Sequence, residues 1–359
     1  MRYGIMKNNK PKLGLSLMPN PEFIAAVLPL FEAAQVEVIE WSFDTILDKT
    51  YQPEWLPLVL KEYGDNNRLL GHGVYYSLLD ANWSANQDNW LKKAKQETLT
   101  YNYTHISEHF GLMSATNAHN GFPLPFDLSD TILNIGIDRL KKLQNTVQLD
   151  VGIENLALAS NASDILKQGE FLNKLVTPVN GFIILDLHNI YCQSENFDID
   201  MLTIITSYPL DLVKEIHISG GSWDQDTSLT KPIRRDTHDG CIPEAILNIL
   251  PEVLQRCPVL EFIIFERIGD AFKDQKDGID FRADFNKIKA IIDHTNFSTT
   301  PRHWSLNKHN LDQPLIDLEL VNQQNTLRQN IQLDQPNAHP EWDTDLWKTA
   351  TKLYKKWNK

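Results

Sequence analysis

Six side chains able to bind a metal recur at one kind of place in this chain. His72, His109, Glu154, Asp186, His217 and Glu266 each stand at or near the end of a short apolar run. Asn189 follows Asp186 by three residues, and Asp236 and His238 form an Asp-x-His pair. Taken singly, each has an ordinary explanation: a hydrogen-bonded imidazole, a helix-cap neighbour, a salt-bridge partner, a solvated loop. Gathered at one barrel mouth, these imidazoles and carboxylates would repel and desolvate one another without cations. Mixed His and carboxylate donors suit zinc, iron or manganese rather than calcium or magnesium alone. The donors outnumber what one ion takes, and Glu154 and Glu266 can bridge, so two or three metals are expected. Glu40 and His188 are weaker candidates, His188 as a residue that orients a ligand. The sequence contains no G-x-S-x-G elbow, no G-x-G-x-x-G after a strand and no G-x-x-x-x-G-K-[ST] loop, which sets aside three familiar chemistries.

Repeated strands must position these side chains. The run 181–186 is apolar until Asp186, as in a strand buried on both faces that turns polar at its C-terminal end; this sixth strand is expected over 181–191. The other strands are expected over 12–17, 36–41, 68–74, 103–110, 149–155, 213–219 and 262–267. Helical periodicity falls at 21–35, 53–63, 91–101, 130–143, 162–174, 200–206, 243–254 and 280–294. Eight strands alternating with helices, with polar residues at strand end after strand end, predict an α/β fold: a (β/α)8 TIM-type barrel over 12–295. A doubly wound sheet would gather its ligands at one switch point instead. The stretches 79–90, 113–128 and 220–235 read as long loops. Residues 300–359 form a C-terminal helical extension, with helices over 315–332 and 341–357, read as a cap over one barrel end.

Composition narrows the partners. The formal net charge of −13 lacks the basic footprint of a nucleic-acid binder. No apolar run approaches the roughly 20 residues of a membrane span, and the first residues lack the apolar core of a signal peptide. Three cysteines, Cys192, Cys241 and Cys257, show no C-x-x-C spacing, which suggests neither a zinc ribbon nor a disulfide scaffold. A cytoplasmic location is the expectation.

The ordered series Gly14-Leu15-Ser16-Leu17, Gly71-His72-Gly73-Val74, Ser107-Glu108-His109, Pro123-Leu124-Pro125-Phe126, Glu154-Asn155, Leu185-Asp186-Leu187-His188-Asn189, Ile216-His217-Ile218, Asp236-Thr237-His238 and the strand ending in Glu266 resembles the multinuclear non-heme iron-dependent oxidative enzymes, the family of the methanobactin-biosynthesis oxidase. The resemblance implies a TIM-type barrel holding two or three iron ions in mixed Fe(II)/Fe(III) states, with dioxygen as co-substrate. It implies His72, His109, Glu154 and Glu266 on one iron, Asp186 and His217 on a second, and Asn189, Asp236 and His238 on a third. It further implies oxidative modification of a residue, most often cysteine, in a ribosomally made precursor peptide, with a partner protein commonly presenting that peptide. The loops at 79–90, 113–128 and 220–235 would then shape a groove for an extended peptide. Three departures touch the substrate pocket and the reaction. His188 stands where the family often has Asn, Gly220-Gly221-Ser222 where it often has a His, and Asp239 to Pro243 form a longer link. The alternatives are a zinc or manganese barrel that isomerises sugars or cleaves phosphodiesters, and a non-catalytic iron- or peptide-binding barrel.

Overall fold

Eight parallel strands close into a ring in the computed structural model, which describes residues 10–45, 53–115, 118–297, 300, 302–309 and 312–357. The stretch 1–9, read above for a targeting signal, lies outside the described residues. The barrel strands are β1 Lys12–Ser16, β2 Val38–Trp41, β3 Leu69–Gly73, β4 His105–His109, β5 Asp150–Glu154, β6 Phe182–Asp186, β7 Val213–Ile218 and β8 Phe262–Phe265. Each pairs in parallel with its sequence neighbours, and β8 closes on β1 with Lys12 opposite Phe262. Helices run between strands on the outside, and their apolar faces and the outer strand faces make the main core.

Strand alternation sends every second side chain into the lumen. Val38, Leu70, Phe262 and Ile264 form a separate apolar cluster there. The lumen is packed tightly enough that a Cβ on Gly152 would come within 2.1 Å of the Phe182 ring; glycine there makes room for the ring. Toward the C-terminal ends of the strands the inward positions turn polar, with Glu40, His72, Ser107, Glu154, Asp186 and His217 all buried.

Four expectations change. The sixth strand stops at Asp186 and the chain turns at once into the helix Leu187–Phe197. Asp186 is its N-cap, with the carboxylate accepting the Asn189 N–H, and that cap overrides the apolar continuity of Leu187 and Ile190. The predicted loop 79–90 is shortened by the helix Ala85–Thr100, begun by a capping box between Ser84 and Gln87. The predicted loop 113–128 contains an antiparallel pair, Leu112–Ala115 with Ala118–Leu124. The loop after β7 carries a short ribbon, Trp223–Asp224 with Ile233–Arg234.

The last helices, Leu318–Leu333 and Thr344–Trp357, pack on that hairpin and ribbon. Leu327, Ile331, Trp342, Trp347, Ala350 and Tyr354 form one apolar cluster with Leu112 and Leu124. Gln324 exchanges hydrogen bonds with the backbone of Ala81 and Leu79. Asp345 accepts the Thr230 N–H at 2.9 Å and the Lys231 N–H at 3.3 Å, and Lys352 pairs with Asp224 and Asp226. The Asp343 N–H also donates to the Ser160 carbonyl at 3.0 Å, so the extension grips segments that follow β3, β4, β5 and β7.

Candidate metal centre

The donors converge because the strand ends converge. Gly71 and Gly73 flank His72, which is 3% exposed. Its Nδ1 lies 2.8 Å from Ser107 Oγ, and Ser107 Oγ donates to the Gly71 carbonyl at 3.2 Å. The hydroxyl proton being spent on that carbonyl, Ser107 accepts from His72 Nδ1–H. Nε2 is then the nitrogen left for a proton or a metal, and it sits 3.1 Å from Glu154 Oε2. Burial alone would lower the His72 pKa, but the Glu40 and Glu154 carboxylates outweigh it and raise it to about 9.

His109 gives a sharper signal. Its Nδ1 lies 3.0 Å from the Gly73 carbonyl, an acceptor only, so Nδ1 carries the proton. Burial lowers its pKa, which favours the neutral ring. The lone pair on Nε2 therefore faces Glu154 Oε2 at 3.5 Å, an arrangement that a cation between them relieves and that fits a metal-ligating His held by a backbone carbonyl.

Asp186 is locked from behind. Asn155 Oδ1 accepts the Asp186 N–H at 2.7 Å, and Asn155 Nδ2 donates to the Asp186 carbonyl at 3.2 Å. Asp186 Oδ2 is buried with no hydrogen-bond partner, as are Asn189 Oδ1, His217 Nδ1 and Glu266 Oε2. Burial raises the Asp186 pKa well above the ordinary range, and the Glu154, Asp236 and Glu266 carboxylates push it further. His217 Nδ1 lies 3.4 Å from Glu266 Oε2 and 3.9 Å from Glu154 Oε1, while its Nε2 lies 3.2 Å from Glu40 Oε2. The Glu266 and Glu40 carboxylates hold its pKa well up against the opposing effect of burial.

His238 has a left-handed backbone, φ 50°, a conformation that His adopts more readily than most non-glycine residues; its carbonyl is held by the Ile268 N–H. Its Nε2 lies 2.9 Å from Asp236 Oδ1 and its Nδ1 3.7 Å from Glu266 Oε2.

Among the described residues, four groupings have ligand atoms within 4.8 Å of one another: His72, His109 and Glu154; Glu154, Asp186 and His217; Asp186, His238 and Glu266; and Glu40, His217 and Glu266. Glu154 joins the first to the second and Asp186 the second to the third. The Glu40, His217 and Glu266 grouping shares His217 with the second and Glu266 with the third, so the four form one connected set of donors, and its unpartnered buried oxygens are ones that bound cations would satisfy. Glu266 falls with the His217 and His238 groupings rather than with His72 and His109. Asn189 donates to Glu154 Oε1 at 3.1 Å, and Asp236 Oδ1 is shared by His188 and His238.

Sequence reasoning gave Glu40 little weight and passed over Glu215, His105 and Ser107. His105 Nε2 lies 2.7 Å from Glu215 Oε2, and Glu215 Oε1 lies 3.3 Å from His217 Nε2, so these residues support His217 from beneath. Period-two counting back from His109 and His217 reaches all three.

A profile described as "RiPP precursor modification enzyme MbnB/TglH/ChrH" matches residues 21–293. A UPF0276 protein of Acaryochloris marina is 27% identical over 186 residues, 52% of this chain and 64% of its own length. One from Acinetobacter baylyi is 24% identical over 136 residues, 38% of this chain and 46% of its own length. These matches thus span 46% and 64% of the relatives' own lengths. Among solved structures, a xylose isomerase-like TIM barrel/4-hydroxyphenylpyruvate dioxygenase fusion protein superposes with TM-score 0.51 at 12% identity, over 79% of this chain and 43% of its own. A xylose isomerase domain-containing protein from Salmonella typhimurium gives 0.50 at 10% identity, over 80% and 99%. Both likenesses concern the barrel.

Proposed function

The chain belongs to the MbnB/TglH/ChrH family of RiPP precursor modification enzymes, and from that premise we propose that it is a dioxygen-dependent enzyme with two or three irons that oxidises a residue, most often cysteine, of a ribosomally made peptide. The observation that carries this reading is the set of linked donor groupings at the barrel mouth, with His109 Nδ1 held by the Gly73 carbonyl and its Nε2 directed at Glu154. His72, His109 and Glu154 would hold one iron, Glu154, Asp186 and His217 a second, and Asp186, His238 and Glu266 a third, with Asn189 and Asp236 beside them. Bound iron would supply dioxygen activation and would lower the pKa of a ligated thiol.

The protein's own side chains supply the geometry. Ser107 and the Gly73 carbonyl fix which nitrogens of His72 and His109 are free. Asn155 fixes Asp186. The apolar floor of Val38, Leu70, Phe262 and Ile264 closes the lumen beneath the site, so access is from the mouth. The paired strands Leu112–Ala115 and Ala118–Leu124 and the ribbon of Trp223–Asp224 with Ile233–Arg234 follow barrel strands at that mouth and would border a groove for an extended peptide.

The test is anaerobic purification with metal analysis and Mössbauer spectra, followed by incubation with candidate ribosomal precursor peptides that contain cysteine. Two or three irons per chain, oxygen uptake and a mass change in the peptide are expected. Zinc or manganese alone, with iron refused on reconstitution, would reject the oxidase reading in favour of a hydrolase or isomerase.

A further inference from the structure

His188 is fully buried in the first turn of the helix Leu187–Phe197. Its Nε2 lies 3.1 Å from Arg234 Nη2, and its Nδ1 lies 2.9 Å from Asp236 Oδ1. A guanidinium only donates, so Nε2 accepts and the imidazole is neutral with its proton on Nδ1. That proton goes to Asp236 Oδ1. The same oxygen receives His238 Nε2 at 2.9 Å, which turns His238 Nδ1 toward Glu266.

The contact is built from both sides. Asn196, on the same helix as His188, accepts the Arg234 N–H at 2.8 Å and donates to the Arg234 carbonyl at 2.9 Å. The Arg234 guanidinium lies over the rings of Tyr191 and Trp223, 5.2 and 5.4 Å from their centroids. Gly221 completes the seat: a Cβ there would come within 2.7 Å of His188 Cε1.

We infer that His188 and Arg234 are positioning residues for the Asp236–His238 pair, a relay from guanidinium through imidazole and carboxylate to the imidazole at one end of the donor row. The inference rests on the metal-centre reading above. Outer partners of metal ligands of this kind are worth about 10- to 100-fold in affinity.

The experiment uses the full chain, titrated anaerobically with Fe(II) or Co(II) in the presence of a competing chelator, with Co(II) absorption bands or ⁵⁷Fe Mössbauer doublets resolving the positions. His188→Gln and Arg234→Met should weaken one position by about 10- to 100-fold and leave the others at wild-type affinity. Arg234→Lys, which keeps a donor toward Nε2, should recover part of the loss. Wild-type affinity at every position in both deleting variants would overturn the inference while leaving the metal centre standing. Equal weakening at all positions, in Arg234→Lys as well, would also overturn it, because a purely structural role predicts that pattern. A wild-type protein that binds neither ion would instead remove the metal-centre reading itself.

Discussion

Asp345→Ala tests whether the extension holds the loop that leads into Asp236 and His238. Asp345 is 3% exposed and accepts from the backbone N–H groups of Thr230 and Lys231 and from the Thr230 hydroxyl. Thr230 and Lys231 are themselves exposed, so water replaces the lost acceptor and the net value per bond applies. At about 1 kcal/mol each, somewhat more for a charged acceptor, three bonds amount to about 3 kcal/mol. The second anchor, Lys352 on Asp224 and Asp226, remains, so the ribbon stays docked but opens more often. Amide exchange over 224–235 should accelerate roughly 100-fold, since each 1.4 kcal/mol is about tenfold. Hydrogen exchange read by mass spectrometry gives this directly. Faster exchange confined to 344–357, with 224–235 at the wild-type rate, would refute the reasoning, because the ribbon would then be held by the barrel alone.

Glu154→Gln should empty the two groupings that Glu154 joins while leaving the fold intact; elemental analysis showing full metal occupancy would take Glu154 out of the ligand set. Ser107→Ala removes the acceptor of His72 Nδ1–H and should weaken metal binding by about 10-fold or more, measured by chelator competition; unchanged affinity would show that the ring is oriented by packing. In chelator-treated protein, His72 has a folded pKa of about 9 against an ordinary 6.5. A raised pKa stabilises fully below the unfolded value, so its contribution, about 3 kcal/mol, declines as pH rises from 6.5 and is lost above about 9. Urea midpoints should fall across that window in the ion-free protein and less in the metal-loaded one; a flat profile without metal would count against protonated imidazoles at the site.

The ring of strands was legible because each one is a short apolar run, and the donors were legible because they interrupt those runs at the same end. The limits were local in some places and distant in others. Asp186 caps a helix through a single carboxylate bond, and apolar content alone reads Leu187 and Ile190 as more strand. His105, Ser107 and Glu215 were within reach, since they lie two or four residues before His109 and His217 on the same strand face. The contact of Arg234 with His188 spans 46 residues and joins a loop ribbon to a helix, so no periodicity announces it. The grip of Asp345 on Thr230 spans 115 residues and was invisible for the same reason; the amphipathic pattern of that last helix said only that it must cover something.

That last grip sets an order of events during synthesis. Asp345 is made 115 residues after the loop it fastens, which at ribosomal speed is an interval of roughly 6 to 23 seconds. Once β8, Phe262–Phe265, has been made, β1 to β8 can close and His72, His109, Glu154, Asp186 and His217 can meet, while the segment leading to Asp236 and His238 still lacks its clasp. Metal arriving early would meet one end of the donor row finished and the other still open. Any cation bound in that interval would be held from the His72 end, and the His238 end would be completed last.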